Sequence, residues 1–140
     1  MKKEIKRFFI ISLIFLDGAF GYYYLEILFR GYSHWSMGVC GGICLIGIYF
    51  LDKLNKSIYQ KALLGALLIT LVEFLAGCIL NLWLDLKIWD YSQLKLHFLG
   101  QISLLFTAIW YVLSFIIFLI FSFVKRKKRI LPRSIRNLES

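Results

Sequence analysis

A carboxylate inside a long apolar stretch is the residue of this chain best placed to do chemistry. Glu73 is the twelfth residue of an apolar run of 23, Ala62–Leu84, and Gly77 and Asn81 follow it at spacings of four on one helical face. A run of that length spans a bilayer, and an ionisable group near its middle faces a protein interior or a water-filled cavity. We therefore expect Glu73 and Asn81 to line a polar site within the membrane. If the protein moves protons or cations, Glu73 is the expected relay.

Two further carboxylates belong to the first apolar run, Phe8–Phe29. Asp17 is its tenth residue and lies at about the depth of Glu73, because a helix rises about 1.5 Å per residue. Glu26 lies farther along, at the expected depth of Asn81, and Arg30 follows it by one turn, close enough to pair with it. Glu26 and Asp17 are thus the other candidates for a substrate or ion path.

Two polar connections rich in aromatic residues complete the set of candidates. The first contains His34 and Trp35; the second contains Trp89, Asp90, Tyr91, Ser92, His97, Gly100 and Gln101, with Trp110 in the run that follows. Trp and Tyr favour the membrane interface, which explains the aromatic residues but not the acid or the histidines. Those types serve acid–base or metal chemistry, yet no spacing among them is diagnostic. We predict no metal site, no cofactor and no catalysis, and keep an outer-face membrane enzyme as the third alternative.

The elements that must position these residues are membrane helices. Apolar residues make up 60% of the chain, its mean hydropathy is +0.74, and it has one proline, which is typical of a polytopic membrane protein. The predicted fold is all-α, a bundle of four transmembrane helices within residues 1–124, followed by a basic tail, 125–140. In the short second helix, Gly38 and Gly42 would allow a close helix contact. The four predicted spans are Phe8–Phe29, Trp35–Leu51, Ala62–Leu84 and Ile102–Val124.

The distribution of basic residues predicts the orientation. Fourteen of the 17 Lys and Arg residues lie at the amino end, between the second and third runs, or in the tail. Because such residues stay cytoplasmic, both ends are expected inside a multi-pass protein of the bacterial plasma membrane. The basic tail would attract anionic lipid head groups. Nucleic-acid binding is not expected, since no folded cytoplasmic domain is left to position bases.

The polar residues of the second half resemble the signature of the bacterial CmpB-like family, of ABC-transporter type. The similarity lies in Glu73, Gly77, Asn81, Trp89–Asp90–Tyr91–Ser92, Gly100–Gln101–Ile102 and Trp110. The first half resembles a branch of that family through Glu26, Arg30–Gly31, Ser33–His34–Trp35–Ser36–Met37 and Gly41–Gly42. The chain departs from the pattern at Lys95 and His97, where the family often has proline and asparagine.

The resemblance implies a small permease-type protein. A separate ATPase subunit would then be required, because the chain contains no Gly-x-x-x-x-Gly-Lys phosphate loop. Four helices are few to surround a translocation path, and further copies of the chain would supply more of its lining. This favours a homo-oligomer. The alternative is a non-catalytic scaffold or helper subunit, including a holin-like oligomer, in which Glu73 holds helices together by hydrogen bonding.

Overall fold

The structure, a computed structural model, describes residues 1–130. Within this range it contains four α-helices: α1 (Lys2–Arg30), α2 (Trp35–Leu51), α3 (Ile58–Gly77) and α4 (Leu104–Ile130). A π-helical segment, Cys78–Trp83, continues α3 directly. The prediction of an all-α protein built on four helices is confirmed.

Among residues 1–130, three helical stretches are long and apolar enough to cross a membrane. They are Lys2–Arg30, Ile58–Trp83 and Leu104–Ile130, whereas α2 has 17 residues. Large apolar side chains on their outer faces are exposed, among them Phe8, Phe20, Leu71 and Ile120. An apolar exterior is what a hydrocarbon solvent requires, and the chain is therefore a membrane protein.

Three helix ends extend beyond the predicted apolar runs: the starts of α1 and α3 and the end of α4. α3 begins at Ile58 because Ser57 and Gln60 form a capping box, with hydrogen bonds of 3.2 and 3.3 Å between side chain and backbone. α4 continues to Ile130, so the first part of the predicted tail is helical. Residues 131–140, with Arg133 and Arg136, lie outside the described part of the chain.

The first two helices form a closely packed hairpin. A Cβ atom on Gly18 would lie 2.6 Å from the carbonyl oxygen of Gly41, and one on Gly42 would lie 2.6 Å from the ring of Phe15. Only glycine permits such an approach of two helix backbones. The predicted contact face of α2 therefore packs on α1, although a Cβ on Gly38 would meet the nearest backbone atom at an ordinary 3.4 Å.

The last two helices form a second hairpin, which packs on the first through α2. Thr70 of α3 and Thr107 of α4 share a hydrogen bond of 3.0 Å between their hydroxyl groups. A Cβ on Gly65 would lie 2.7 Å from the hydroxyl oxygen of Ser114, so these helices also approach closely. The buried core between the hairpins consists of Ile48, Ala62, Ala66, Ile69, Trp110 and Phe118.

A small folded connection, residues 84–103, covers the end of the π-helical segment, and we call it the cap. It contains two short antiparallel strands, β1 (His97–Phe98) and β2 (Ile102–Ser103), with His97 opposite Ser103. Gly100 has φ +67° in the turn between them. The sheet was not predicted, and it explains why α4 begins at Leu104, two residues after the start of the predicted run at Ile102.

Candidate functional site

The carboxylate of Glu73 is buried and fastened by two donors. The Tyr91 hydroxyl donates to Oε1 at 2.6 Å, and the Trp110 indole N–H donates to Oε2 at 2.9 Å. Tyr91 belongs to the cap and Trp110 to α4, while Glu73 is on α3 and only 7% exposed. Glu73 therefore links three parts of the protein at one point.

Tyr91 is itself held in place by the cap and α4. Its ring stacks on Phe106 with the centroids 4.4 Å apart, and its backbone N–H donates to the carbonyl oxygen of Gly100 at 2.7 Å. Burial of the ring, followed by the nearby charge of Glu73, raises the pKa of Tyr91 well above its usual range. The hydroxyl is thus a neutral donor at neutral pH.

Asn81, on the π-helical segment, joins the membrane helix to the cap. Its amide nitrogen donates to Oε1 of Gln101 at 2.9 Å, and its Oδ1 accepts from the backbone N–H of Ile88 at 2.7 Å. The indole N–H of Trp89 donates to the carbonyl oxygen of Gln101 at 3.0 Å. Asn81, Gln101 and Trp89 are all buried, so these bonds satisfy polar groups that have little access to water.

Two glycines leave the space that this arrangement needs. A Cβ on Gly77 would lie 2.5 Å from Oε1 of Gln101, so a larger residue would push the cap away from α3. A Cβ on Gly100 would lie 2.6 Å from a carboxylate oxygen of Asp90, and the backbone there is also left-handed. Both glycines are thus part of the cap's packing.

Asp90 and Ser92 form a local turn on the exposed side of the cap. The Asp90 carboxylate accepts from the backbone N–H and from the hydroxyl of Ser92, both at 2.8 Å. These two bonds hold the pKa of Asp90 below its usual range. The pair shapes the loop that directs Trp89 and Tyr91 inward.

Glu26 and Arg30 connect α1 to the same cap. Arg30 donates to Glu26 at 3.0 Å, as their spacing predicted, and Ser33 donates to the second carboxylate oxygen at 2.9 Å. Arg30 also donates to the carbonyl oxygen of Ile88 at 2.7 Å. Ile88 of the cap is therefore bonded to both Asn81 and Arg30, and Arg30 in turn pairs with Glu26.

The two histidines make local contacts with backbone N–H groups. His34 caps the start of α2, where its Nδ1 accepts from the backbone N–H of Ser36 at 3.3 Å, and its ring lies 5.4 Å from that of Trp35. Nδ1 of His97 accepts from the backbone N–H of Gly100 at 3.0 Å. Within residues 1–130, no three His, Cys, Asp or Glu side chains converge in a way that would hold a metal ion.

A cavity of about 350 Å³ lies between the two hairpins, below the cap. Its acidic lining residues are Asp17 and Glu73, and the rings of Tyr22, Trp89 and Trp110 are also in its wall. Among the described residues, the lining contains no Lys, Arg or His. The remaining lining is apolar except for two cysteines of α2, so the cavity can accept an apolar body near a negative charge.

The comparison with known families gives a match to residues 36–138, by a family model described as "Putative ABC-transporter type IV". The chain belongs to this family. The resemblance noted from Glu73 to Trp110 is thereby confirmed. Nothing matches this chain among the curated proteins or among the solved structures.

In this ABC-transporter type IV family member, the matched range contains the whole cluster around Glu73, the cap and Trp110. Glu26 and Asp17 precede it on α1. In the structure, α1 nevertheless meets the matched range at two places. Arg30 donates to the carbonyl oxygen of Ile88 in the cap, and Asp17 lines the same cavity as Glu73.

Sequence reasoning missed an ionic cluster at the opposite end of the bundle. Asp52 is buried just after α2 and accepts from Lys61 of α3 at 3.3 Å and from Lys125 of α4. The available signal was an acidic residue next to an apolar run, in a stretch otherwise rich in lysine. This cluster ties three helices together on the side away from the cap.

Proposed function

We propose that this chain is a transporter-type membrane protein whose ligand site is the cavity below the cap, with Glu73 as its charged group. The main support is that the buried carboxylate of Glu73 lines a cavity bounded by residues of all four helices. Intramembrane ionisable residues that face a cavity are typical of substrate and ion paths. The family description points to the same class of protein.

The lining favours a ligand that combines a positive charge with an apolar body. Asp17 and Glu73 supply negative charge, and aromatic faces attract cations. Each oxygen of Glu73 has one protein donor and retains a further lone pair for a ligand. A proton is the smallest cation that the site would take.

The proposed topology has four spans in the bacterial plasma membrane, with both ends in the cytoplasm and the cap outside. Its support is the basic residues, which gather away from the cap. In this orientation the cavity lies beneath the outer surface.

The proposed assembly contains further copies of the chain and a separate ATPase. The family description supports an ATPase partner, and the cavity is only partly enclosed, so a second copy would supply a further wall. Affinity purification of the tagged chain from its host in mild detergent tests this assembly. An ATPase at fixed stoichiometry is the expected result, and copies of the chain alone would remove ATP coupling.

The ligand class is tested with a matched pair of small molecules. Tetraphenylphosphonium is a lipophilic cation, and triphenylphosphine oxide is a neutral compound with a similar aromatic body. Trp89 and Trp110 lie in the cavity wall and serve as fluorescent reporters. We expect saturable quenching by the cation and at least about tenfold weaker binding of the neutral compound. Equal binding would contradict a site selective for positive charge.

A scaffold function is the second candidate, because both oxygens of Glu73 already hold protein donors. In that case the wild-type protein would not bind the cation, and Glu73 would matter only for stability. Replacement by alanine would leave the hydroxyl of Tyr91 and the indole N–H of Trp110 without their acceptor. A loss of about 2–4 kcal/mol in the free energy of unfolding, without any ligand effect, would favour this function.

A further inference from the structure

A second cavity, of about 350 Å³, lies at the end of the α1–α2 hairpin opposite the cap. Its basic lining residues are Lys3, Lys6 and Arg7 at the start of α1 and Lys53 just after α2, and Glu4 is its acidic residue. Side chains from two helices thus converge on one small space. The excess of positive charge selects an anionic ligand.

The walls of this basic pocket have an apolar part as well. Ile10, Ile11 and Phe50 line it together with Tyr49. The ammonium group of Lys53 lies 4.3 Å from the ring centroid of Tyr49 and 4.9 Å from that of Phe50, so aromatic faces hold it at the pocket. A ligand that is anionic at one end and apolar at the other fits both parts.

The position of the pocket along the helices matches the boundary between hydrocarbon and water. Arg7 directly precedes the apolar stretch of α1, which begins at Phe8. Lys53 follows Leu51, the last residue of α2, by two positions. Charged residues that flank apolar spans lie at the level of lipid head groups.

The neighbouring carboxylate does not cancel the charge of the pocket. Asp52 is next to Lys53 in sequence, but it points to Lys61 and Lys125, with which it forms ion pairs. Asp52 does not line the pocket. Asp52 therefore does not neutralise Lys53, and four basic residues against one acidic residue, Glu4, leave the lining with a net positive charge.

We propose that this pocket binds the phosphate head group of an anionic phospholipid. The guanidinium of Arg7 is suited to two parallel hydrogen bonds with phosphate oxygens, and Lys53 adds a point charge. The acyl chains then leave along Ile10 and Ile11 of α1. The site is separate from the basic end of α4, and it does not depend on the ligand proposed for the cavity below the cap.

Native mass spectrometry of the detergent-purified chain tests this proposal with two lipids of the same acyl chains, phosphatidylglycerol and phosphatidylcholine. The pocket variant combines Arg7→Gln with Lys53→Gln. The matched control combines Arg126→Gln with Lys127→Gln, which removes one Arg and one Lys from the exposed end of α4. A third variant, Arg7→Lys with Lys53→Arg, keeps both charges.

We expect one bound phosphatidylglycerol per chain in the wild type, the control and the charge-keeping variant. The pocket variant should bind it at least about tenfold more weakly, because it loses the charge-assisted hydrogen bonds of two basic side chains to the phosphate. An equal loss in the control would show diffuse attraction and overturn the site. Equal binding of phosphatidylcholine would overturn the proposed selectivity for an anionic lipid. Displacement of the lipid by millimolar inorganic phosphate would also overturn the proposal, because the site would then be one for free phosphate. Melting temperatures show whether each variant is folded, and binding that is weakened only in the pocket variant supports the proposal.

Discussion

At the residue scale, Glu73 is a membrane carboxylate held by two neutral donors. The hydroxyl of Tyr91 and the indole of Trp110 fix both of its oxygens in space. An ionised group inside a membrane is costly, and such bonds offset part of that cost. The same bonds fix the orientation of the carboxylate in the cavity wall. A side chain that binds a ligand needs such a fixed orientation.

The position of Glu73 could be expected from its sequence, but its partners could not. Spacing placed Glu73, Gly77 and Asn81 on one face, and all three are buried. The spacing of residues along one helix does not show that the hydroxyl of Tyr91, 18 residues later in the sequence, donates to Glu73. That contact depends on the path of the cap, which no periodicity describes.

Replacement of Gly77 by alanine tests the close packing of the cap on α3. The new methyl group would lie 2.5 Å from Oε1 of Gln101, so we expect a loss of about 1–3 kcal/mol in stability, measured by thermal melting in detergent. Gly21→Ala is the matched control, because a Cβ there meets no atom within 4 Å. Equal melting temperatures of the two variants would contradict the packing described.

Alkaline titration tests the environment of Tyr91. Its folded pKa is raised, so its neutral form contributes fully to stability below about pH 10, and that contribution is lost only as the pH rises through the higher folded value. The tyrosinate absorbance that develops while the protein is folded should therefore be the same in wild type and Tyr91→Phe. One additional titrating tyrosine in the folded wild type would show that Tyr91 is accessible.

At the element scale, the helices could be predicted from hydropathy, whereas the cap could not. Apolar runs predicted four helices, because spanning length and composition are strong signals. The two strands of the cap have two residues each, which is too short for a recognisable alternating pattern. An apolar residue such as Ile102 is equally compatible with a strand and with a helix. The cap also has left-handed backbone at Asp85, Lys87, Leu96 and Leu99, which propensities disfavour.

Asp52→Asn tests whether the ionic cluster opposite the cap holds helices together. The Asp52 side chain is 8% exposed and pairs with Lys61 and Lys125, so we expect a loss of about 1–3 kcal/mol in the free energy of unfolding. Asp85→Asn is the matched control, since that side chain is 73% exposed in its pair with Lys87. If both variants melt like the wild type, the cluster has no stabilising role.

At the scale of the whole molecule, two hairpins partly enclose a cavity between them and share a cap at one end. Residue faces predicted which side of each helix is polar, but not which helices are neighbours. Asp17 and Glu73 were expected at one depth, and both line the same cavity, although α1 packs chiefly on α2. α1 packs on α2 through close contacts at glycine residues. The sequence shows the glycines of α2, but it does not show which helix they contact.

Reporter fusions test the proposed orientation of the whole chain. Alkaline phosphatase is active only outside the cytoplasm, so a fusion at Lys87 in the cap should be active and a fusion after Ser140 inactive. The distribution of basic residues is the physical reason for this expectation. Activity of the carboxyl-terminal fusion would reverse the topology, and the cap would then face the cytoplasm.

The most direct test of the proposed function is tetraphenylphosphonium binding by Glu73→Gln. Glutamine removes the charge, can accept from the Trp110 indole N–H with its amide oxygen, and can donate its amide N–H to the hydroxyl oxygen of Tyr91. The protein should therefore remain folded, and the affinity should fall by about tenfold or more. Asp85→Asn, which removes a carboxylate far more exposed to water, should bind like the wild type. Undiminished binding by a folded Glu73→Gln protein would contradict the role of Glu73 as the charged group of the site.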